Sequence, residues 1–234
     1  MNDLGVLKIT GDDAALFLQG QTTCDVNSDK LGAFCNSKGR VISTFVLLKV
    51  ENDFLVILPK SLLPTIQKNL QRYKLRAKIE ITETDLPEFD LPENMPWLCP
   101  ETSEQFIPQW LNLDLLGGIS FTKGCYTGQE IVVRTHYLGE VKRRLFVVRF
   151  ETEIKITPNC SIIDESGGAV GNVLAAQNGL VQCVLNVGSE LLNLRLKDST
   201  RIIETRTTSD IIGVLNPKPS DENVVGTFPN VTTK

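Results

Sequence analysis

Pro87, Pro92, Pro96 and Pro100, set among acidic residues between 85 and 104, divide the chain into two parts of different texture and limit what it can fold into. A proline ring fixes φ and removes a backbone donor, so a run this dense excludes a helix or a central strand. The stretch is expected to be a connector that runs as an irregular surface loop.

Ahead of the connector the hydrophobic pattern reads strand, helix, strands, helix, strand. Val6 to Ile9 forms a short strand, followed by an acidic helix start at Asp12-Asp13 and an apolar helix over Ala14 to Leu18 that ends at Gly20. From Ala33 a strand meets a turn at Asn36-Ser37-Lys38-Gly39, and β-rich runs cover Val41 to Val50 and Phe54 to Leu58. Leu63, Ile66, Leu70 and Tyr73 fall on one helical stripe, and Ala77 to Ile81 alternates as a half-buried strand does. That order predicts an α+β fold with a split β-α-β layer of the ferredoxin-like kind.

Past Gly139 the elements become short strands around turn signals, from Leu145 through Leu196, with Gln177-Asn178-Gly179 as a strong hairpin signal. A small antiparallel β-barrel is expected from 141 to 205, after a first domain over 1–140, and the Pro-containing tail 206–234 has too little apolar content to order itself.

Charge and cysteine usage exclude several function classes. With 24 basic against 28 acidic residues, net −4, the chain is not one that coats nucleic acid by bulk electrostatics, so any RNA contact is local. No run of ~18 apolar residues occurs, and Met1-Asn2-Asp3-Leu4 has no basic start to a leader, so the sequence reads as cytoplasmic and free of membrane spans. The six cysteines include no C-x-x-C pair, and the single histidine, His136, offers no zinc constellation; reduced thiols and no bound metal are expected.

The octet Lys123-Gly124-Cys125-Tyr126-Thr127-Gly128-Gln129-Glu130 carries the chemistry. Thr127 and Glu130, three apart before an apolar run, form the capping-box pattern, which would start a helix just after Cys125. A helix N-terminus and the Lys123 charge would both favour a thiolate at Cys125. On the residues alone, a capped helix preceded by a merely packed cysteine weighs about equally. His136, near the expected helix end, has no nucleophile placed for it and is read as a surface histidine.

This octet, together with Phe106-Ile107-Pro108-Gln109, Asn112-Leu113 and Gly117 to Phe121, resembles the YgfZ family of folate-binding proteins, which are similar to the glycine-cleavage aminomethyltransferase. A second matching block holds Gly11 to Ala14, Phe17 to Thr23, Asp25-Val26, Cys35 and Lys38-Gly39-Arg40. The resemblance implies tetrahydrofolate as cofactor, with Cys125 and Lys123 as working groups. It implies a role in iron-sulfur cluster assembly or repair and, through it, tRNA modification. Its partners would then be iron-sulfur proteins or their assembly machinery, with local tRNA contact, and the protein itself a monomer or homodimer.

Gln19, Gln21, Asp25, Asn36 and Gln129 are the carboxamides and carboxylate suited to a pterin edge, Tyr126 could stack on a heterocycle, and Lys38, Arg40, Arg134 and Lys142 to Arg144 could meet an anionic tail or RNA phosphates. A packed turn, a buried aromatic and a solvated charged face are the plain alternatives for these residues. The sequence also departs from the resemblance. Only the connector separates Ile81 from Phe106, so most of one ferredoxin-like half is missing, and Gln109-Trp110 stands where aminomethyltransferase relatives carry a pterin-binding carboxylate. An accessory folate-binding protein therefore fits better than a one-carbon transferase, and a non-catalytic interaction module on the same fold is the third reading.

Overall fold

A computed structural model of the chain describes residues 3–28, 30–90, 92, 95–149, 156–177, 180–188, 194–197 and 202–203. The first five strands, β1 (Leu4–Thr10), β2 (Leu31–Cys35), β3 (Val41–Val50), β4 (Asp53–Pro59) and β5 (Glu80–Thr84), form one antiparallel sheet in the order β2-β3-β4-β1-β5. Helix α1 (Ala14–Gln19) leads from β1 towards β2 and β3, with β4 inserted between β1 and β3; α2 (Leu63–Lys74) leads from β4 to β5, with β1 between them. This is the expected split β-α-β arrangement, widened at one edge by β2.

Alternation along each strand sorts the side chains between two faces. Leu7, Ile9, Phe54, Val56 and Leu58 turn to the helices, where Ala14, Phe17, Leu18, Leu63, Ile66 and Leu70 meet them. The α2 stripe is seen as its spacing predicts, except that Tyr73, on the last turn, is largely exposed.

The opposite face, with Val6, Leu31, Ala33, Val46 and Ile57, is covered by chain that is mostly neither helix nor strand: Met95, Leu98, Phe106, Leu111, Leu113 and Ile119. The Pro-rich stretch is thus irregular, as its prolines require; Asp85, Leu86, Glu88 and Asp90 run over the surface as expected, but Met95, Pro96 and Leu98 are buried. Thr44 Oγ1 donates to Pro96 O (2.7 Å), Ser103 Oγ to Ile42 O (2.8 Å), and Val41 and Phe106 share a backbone bond (2.8 Å). A sheet face left open to water by the shortened middle would expose its aliphatic side chains, and the apolar residues interleaved with the prolines cover it instead.

After α3 (Gln129–Leu138) comes an antiparallel six-stranded sheet: β6 (Arg143–Arg149), β7 (Ser161–Ile163), β8 (Ala169–Gln177), β9 (Leu180–Asn186), β10 (Leu194–Leu196) and β11 (Ile202–Ile203), ordered β11-β10-β7-β8-β9-β6. Gln177 pairs with Leu180, the register a two-residue Asn-Gly hairpin dictates. Phe146, Ile162, Val173, Cys183, Leu185 and Leu194 gather into one buried cluster, while Leu145, Leu174 and Val184 join the cluster under the first sheet. Asn112, in the irregular cover, pairs with the second sheet like a strand edge, donating to Leu145 O (2.8 Å) and accepting from Leu145 N (3.3 Å). Among the described residues no helix is long and apolar enough to cross a membrane. The tail 206–234 lies outside the described residues.

Candidate functional site

Three irregular segments meet beside the N-terminus of α3. Thr23 ties the first to the third: its hydroxyl accepts from Ala33 N (2.9 Å) and donates to Gly118 O (2.6 Å), and its carbonyl accepts from Ser120 N (2.9 Å). Lys123 completes the tie. Its ammonium donates to Thr22 O (2.8 Å) and Cys24 O (2.7 Å) and lies 5.1 Å from the centre of the Tyr126 ring.

Next to that tie stands the Gln19–Asp25 pair, with Gln19 Nε2 donating to Asp25 Oδ1 at 2.7 Å. The same oxygen accepts from Asn27 N (3.0 Å) and Asn27 Nδ2 (3.3 Å). The Asn27 amide foremost, then the Gln19 and Asn27 carboxamides and the Lys123 charge, hold the Asp25 carboxyl below the ordinary carboxylate value, against an opposing contribution from burial. Asp25 is therefore an ionised acceptor near the surface.

The second segment is the turn at 36–40. Asn36 Oδ1 accepts from Lys38 N (2.9 Å) and Arg40 N (3.0 Å), and its Nδ2 donates to Glu104 Oε2 (2.7 Å), so its carboxamide builds the turn rather than facing a ligand. Gly39 and Gly128 let this turn and α3 touch. Gly128 has φ +83°, and a Cβ on it would run into the Asn36 carbonyl oxygen and come to 3.0 Å from Gly39 Cα.

That contact overrides the capping box. Gly128, not Thr127, is the N-cap of α3, without a side-chain cap, and Thr127 uses its backbone N–H on Gly20 O (3.3 Å). The helix accordingly starts at Gln129, later than the sequence spacing implied, and Cys125 sits exposed on the loop ahead of it.

The remaining expected residues divide. Gln129 Nε2 reaches Gly124 O (3.5 Å) on the Cys125 loop, and Gln21 lies partly exposed next to Thr22. Tyr126 is buried, 7% exposed, with its hydroxyl lacking a hydrogen-bond partner and its ionisation pushed up chiefly by burial, so its ring packs inside instead of offering a stacking surface. Arg134 is exposed, two residues beyond buried Val132 and hence on the far side of a 3.6-residue helix from the core. His136 stacks on Phe121 with ring centres 3.7 Å apart. Gln109 is fully buried and donates from Nε2 to Val132 O at 2.6 Å. Among the described residues no three His, Cys, Asp or Glu side chains come together as a metal-holding group. A cleft of about 440 Å³, lined by Lys60, Trp97, Cys99 and Leu174 among others, lies elsewhere and includes none of the expected site residues.

Sequence reasoning missed Asn27, whose two-residue offset from Asp25 is an Asx-turn signal. It also missed Trp110, over whose ring Arg40 and Arg143 converge.

The chain is similar to the tRNA-modifying protein YgfZ of Colwellia psychrerythraea, 26% identical over 294 residues that take in 89% of this chain and 91% of that protein. With the tRNA-modifying protein YgfZ of Hamiltonella defensa the identity is 30%, over 62% of this chain and 68% of that protein. The chain belongs to the YgfZ family. The alignment with the Colwellia protein is longer than the 234 residues here, so that YgfZ protein holds residues without a counterpart in this chain. The human mitochondrial iron-sulfur cluster assembly factor IBA57 is 40% identical over 105 residues, 44% of this chain and 27% of that one. The fold is shared with glycine cleavage system aminomethyltransferase T from Bartonella henselae, at a TM-score of 0.64 and 10% identity, over 85% of this chain and 81% of that one. No family model matches the chain.

Proposed function

We propose that this YgfZ-family protein binds tetrahydrofolate at the Gln19–Asp25 rim and supports iron-sulfur cluster assembly or repair, and through it tRNA modification, with Cys125 as its reactive thiol. The observation that carries the reading is the Lys123 tie. A single ammonium joins the 22–24 turn to the loop bearing Cys125, so the ionised Asp25, the Gln19 carboxamide and the exposed thiol belong to one locality.

The donor set suits a pterin. An ionised carboxylate accepts from the ring's N–H and amino groups, and a carboxamide beside it offers both a donor and an acceptor. When bound, the folate supplies a reduced pterin able to carry a one-carbon unit; the chain's own residues hold and orient it. Cys125, exposed on the same loop, serves as a nucleophile or as a transient sulfur or iron ligand. The names of the YgfZ relatives and of the human assembly factor support the cluster and tRNA side of this reading. Gln109 speaks against one-carbon transfer: it is a neutral carboxamide, buried, with Nε2 on Val132 O and Oε1 without a partner, so it supplies no pterin-binding carboxylate.

The test is made in cells that lack the gene and carry wild type or Cys125→Ala at equal protein level, with the modified nucleoside made by a cluster-dependent tRNA enzyme as the readout. Modification should fall to background with Cys125→Ala. Full modification in that variant removes the thiol from the mechanism, and full modification without the gene removes the reading. In the purified protein, folate at about a hundred times its dissociation constant should add roughly 2.7 kcal/mol to stability.

A further inference from the structure

The basic residues around Trp110 form an arrangement that folate binding at the Gln19–Asp25 rim does not use. Arg40, from the turn at 36–40, and Arg143, at the start of β6, are far apart in sequence, yet their guanidinium carbons lie 5.0 and 5.1 Å from the centre of the same indole. The two charges are therefore no farther apart than the sum of those distances. Attraction to the ring face holds them there.

Neutral acceptors fix each side chain further: Arg40 Nη1 donates to Gln105 O (2.8 Å) and Arg143 Nε to Asn186 Oδ1 (3.0 Å). Neither contact cancels charge. Among the described residues no carboxylate pairs with either guanidinium, whereas the adjacent Arg144 is matched by Asp114 at 2.6 Å. Exposed Lys38 and Lys142 flank the two in sequence. In a chain of net charge −4, two like charges are held together by a shared ring with no ion-paired carboxylate among the described residues. Their repulsion is relieved by an anion that touches both.

We propose that Arg40 and Arg143, braced on Trp110, clamp successive phosphates of an RNA backbone. Guanidinium forks pair with phosphate through two parallel hydrogen bonds, and a contact of this kind positions RNA without reading its bases. Two cations at a fixed separation suit a strand whose charges recur at short regular intervals; a flexible glutamate tail would lose more freedom in meeting both. That the polyanion is RNA rests on the tRNA side of the proposed function.

The experiment titrates a fluorescent, unmodified tRNA transcript with full-length protein and reads anisotropy over a series of salt concentrations, for wild type, Arg40→Gln, Arg143→Gln, the double variant and Arg143→Lys. The slope of log affinity against log salt should drop in magnitude by about one for each glutamine and by about two for the pair, with the lysine variant keeping the wild-type slope. A second readout needs no variant: in the wild type, tRNA should protect Arg40 and Arg143 from phenylglyoxal, scored by mass spectrometry. Unchanged slopes, equal labelling with and without tRNA, or displacement of the tRNA by tetraglutamate at equal charge would overturn the clamp. Tetrahydrofolate binding is measured on the same wild-type sample, so failure here with folate still bound refutes this inference alone.

Discussion

On one face of the first sheet, α1 and α2 bury Phe17, Leu18, Leu63, Ile66 and Leu70 along the stripes of amphipathic helices; on the other, Met95, Leu98, Phe106, Leu111 and Leu113 exclude water from chain with almost no repeating structure. The helical face gives the site Gln19, the last residue of α1. The irregular face continues into the loops that carry Lys123 and Cys125, and it touches the second sheet through Asn112 and the Arg144–Asp114 ion pair. Regular structure therefore mainly stabilises this molecule, while irregular structure both stabilises it and shapes most of its candidate site.

If the irregular cover is as integral as the helices, Phe106→Ala should cost about 3–5 kcal/mol in urea unfolding, at least as much as Leu70→Ala at about 2–5 kcal/mol. A loss under about 1 kcal/mol for Phe106→Ala would mean that the segment is only draped over the sheet. Gly128→Ala sharpens the contrast at the junction between turn and helix. With φ +83° and the Asn36 carbonyl in the way, an added methyl should cost on the order of 1–3 kcal/mol, seen in the same assay. A neutral substitution would show that α3 is not locked onto the 36–40 turn.

The same contrast explains what could be read from the sequence. Leu63, Ile66 and Leu70 repeat with the helical period, and the Gln177-Asn178-Gly179 turn signal anticipates the pairing of Gln177 with Leu180, so both were legible. The cover over the second face has no period to read. Its prolines showed that it would be irregular, but not that Met95 and Leu98 between them would be buried. At the site, local spacing suggested a Thr127 cap and a Lys123 charge serving the neighbouring cysteine. Instead Gly128 caps the helix because it packs on Asn36, and Lys123 donates to a carbonyl 101 positions away. In both cases a long-range contact overrode a short-range pattern.

A smaller effect concerns Asp25. Its folded carboxyl titrates below the ordinary value of 3.8, so the stability it contributes is complete above that pH and disappears as the pH falls through the lower folded value. The stability gap between wild type and Asp25→Asn should hence narrow on acidification below 3.8. A gap that stays constant there would mean that the Asn27 and Gln19 hydrogen bonds do not favour the ionised form.

Calorimetric titration of tetrahydrofolate into the wild type and into Lys123→Met, each first shown to be folded, tests the central claim most directly. The account predicts saturable binding by the wild type and at least about tenfold weaker binding by the variant, the equivalent of about 1.4 kcal/mol, because the rim bearing Gln19 and Asp25 loses its ammonium tie to the Cys125 loop and keeps only backbone and Thr23 contacts. Equal affinities, or no heat of binding from the wild type, would contradict it.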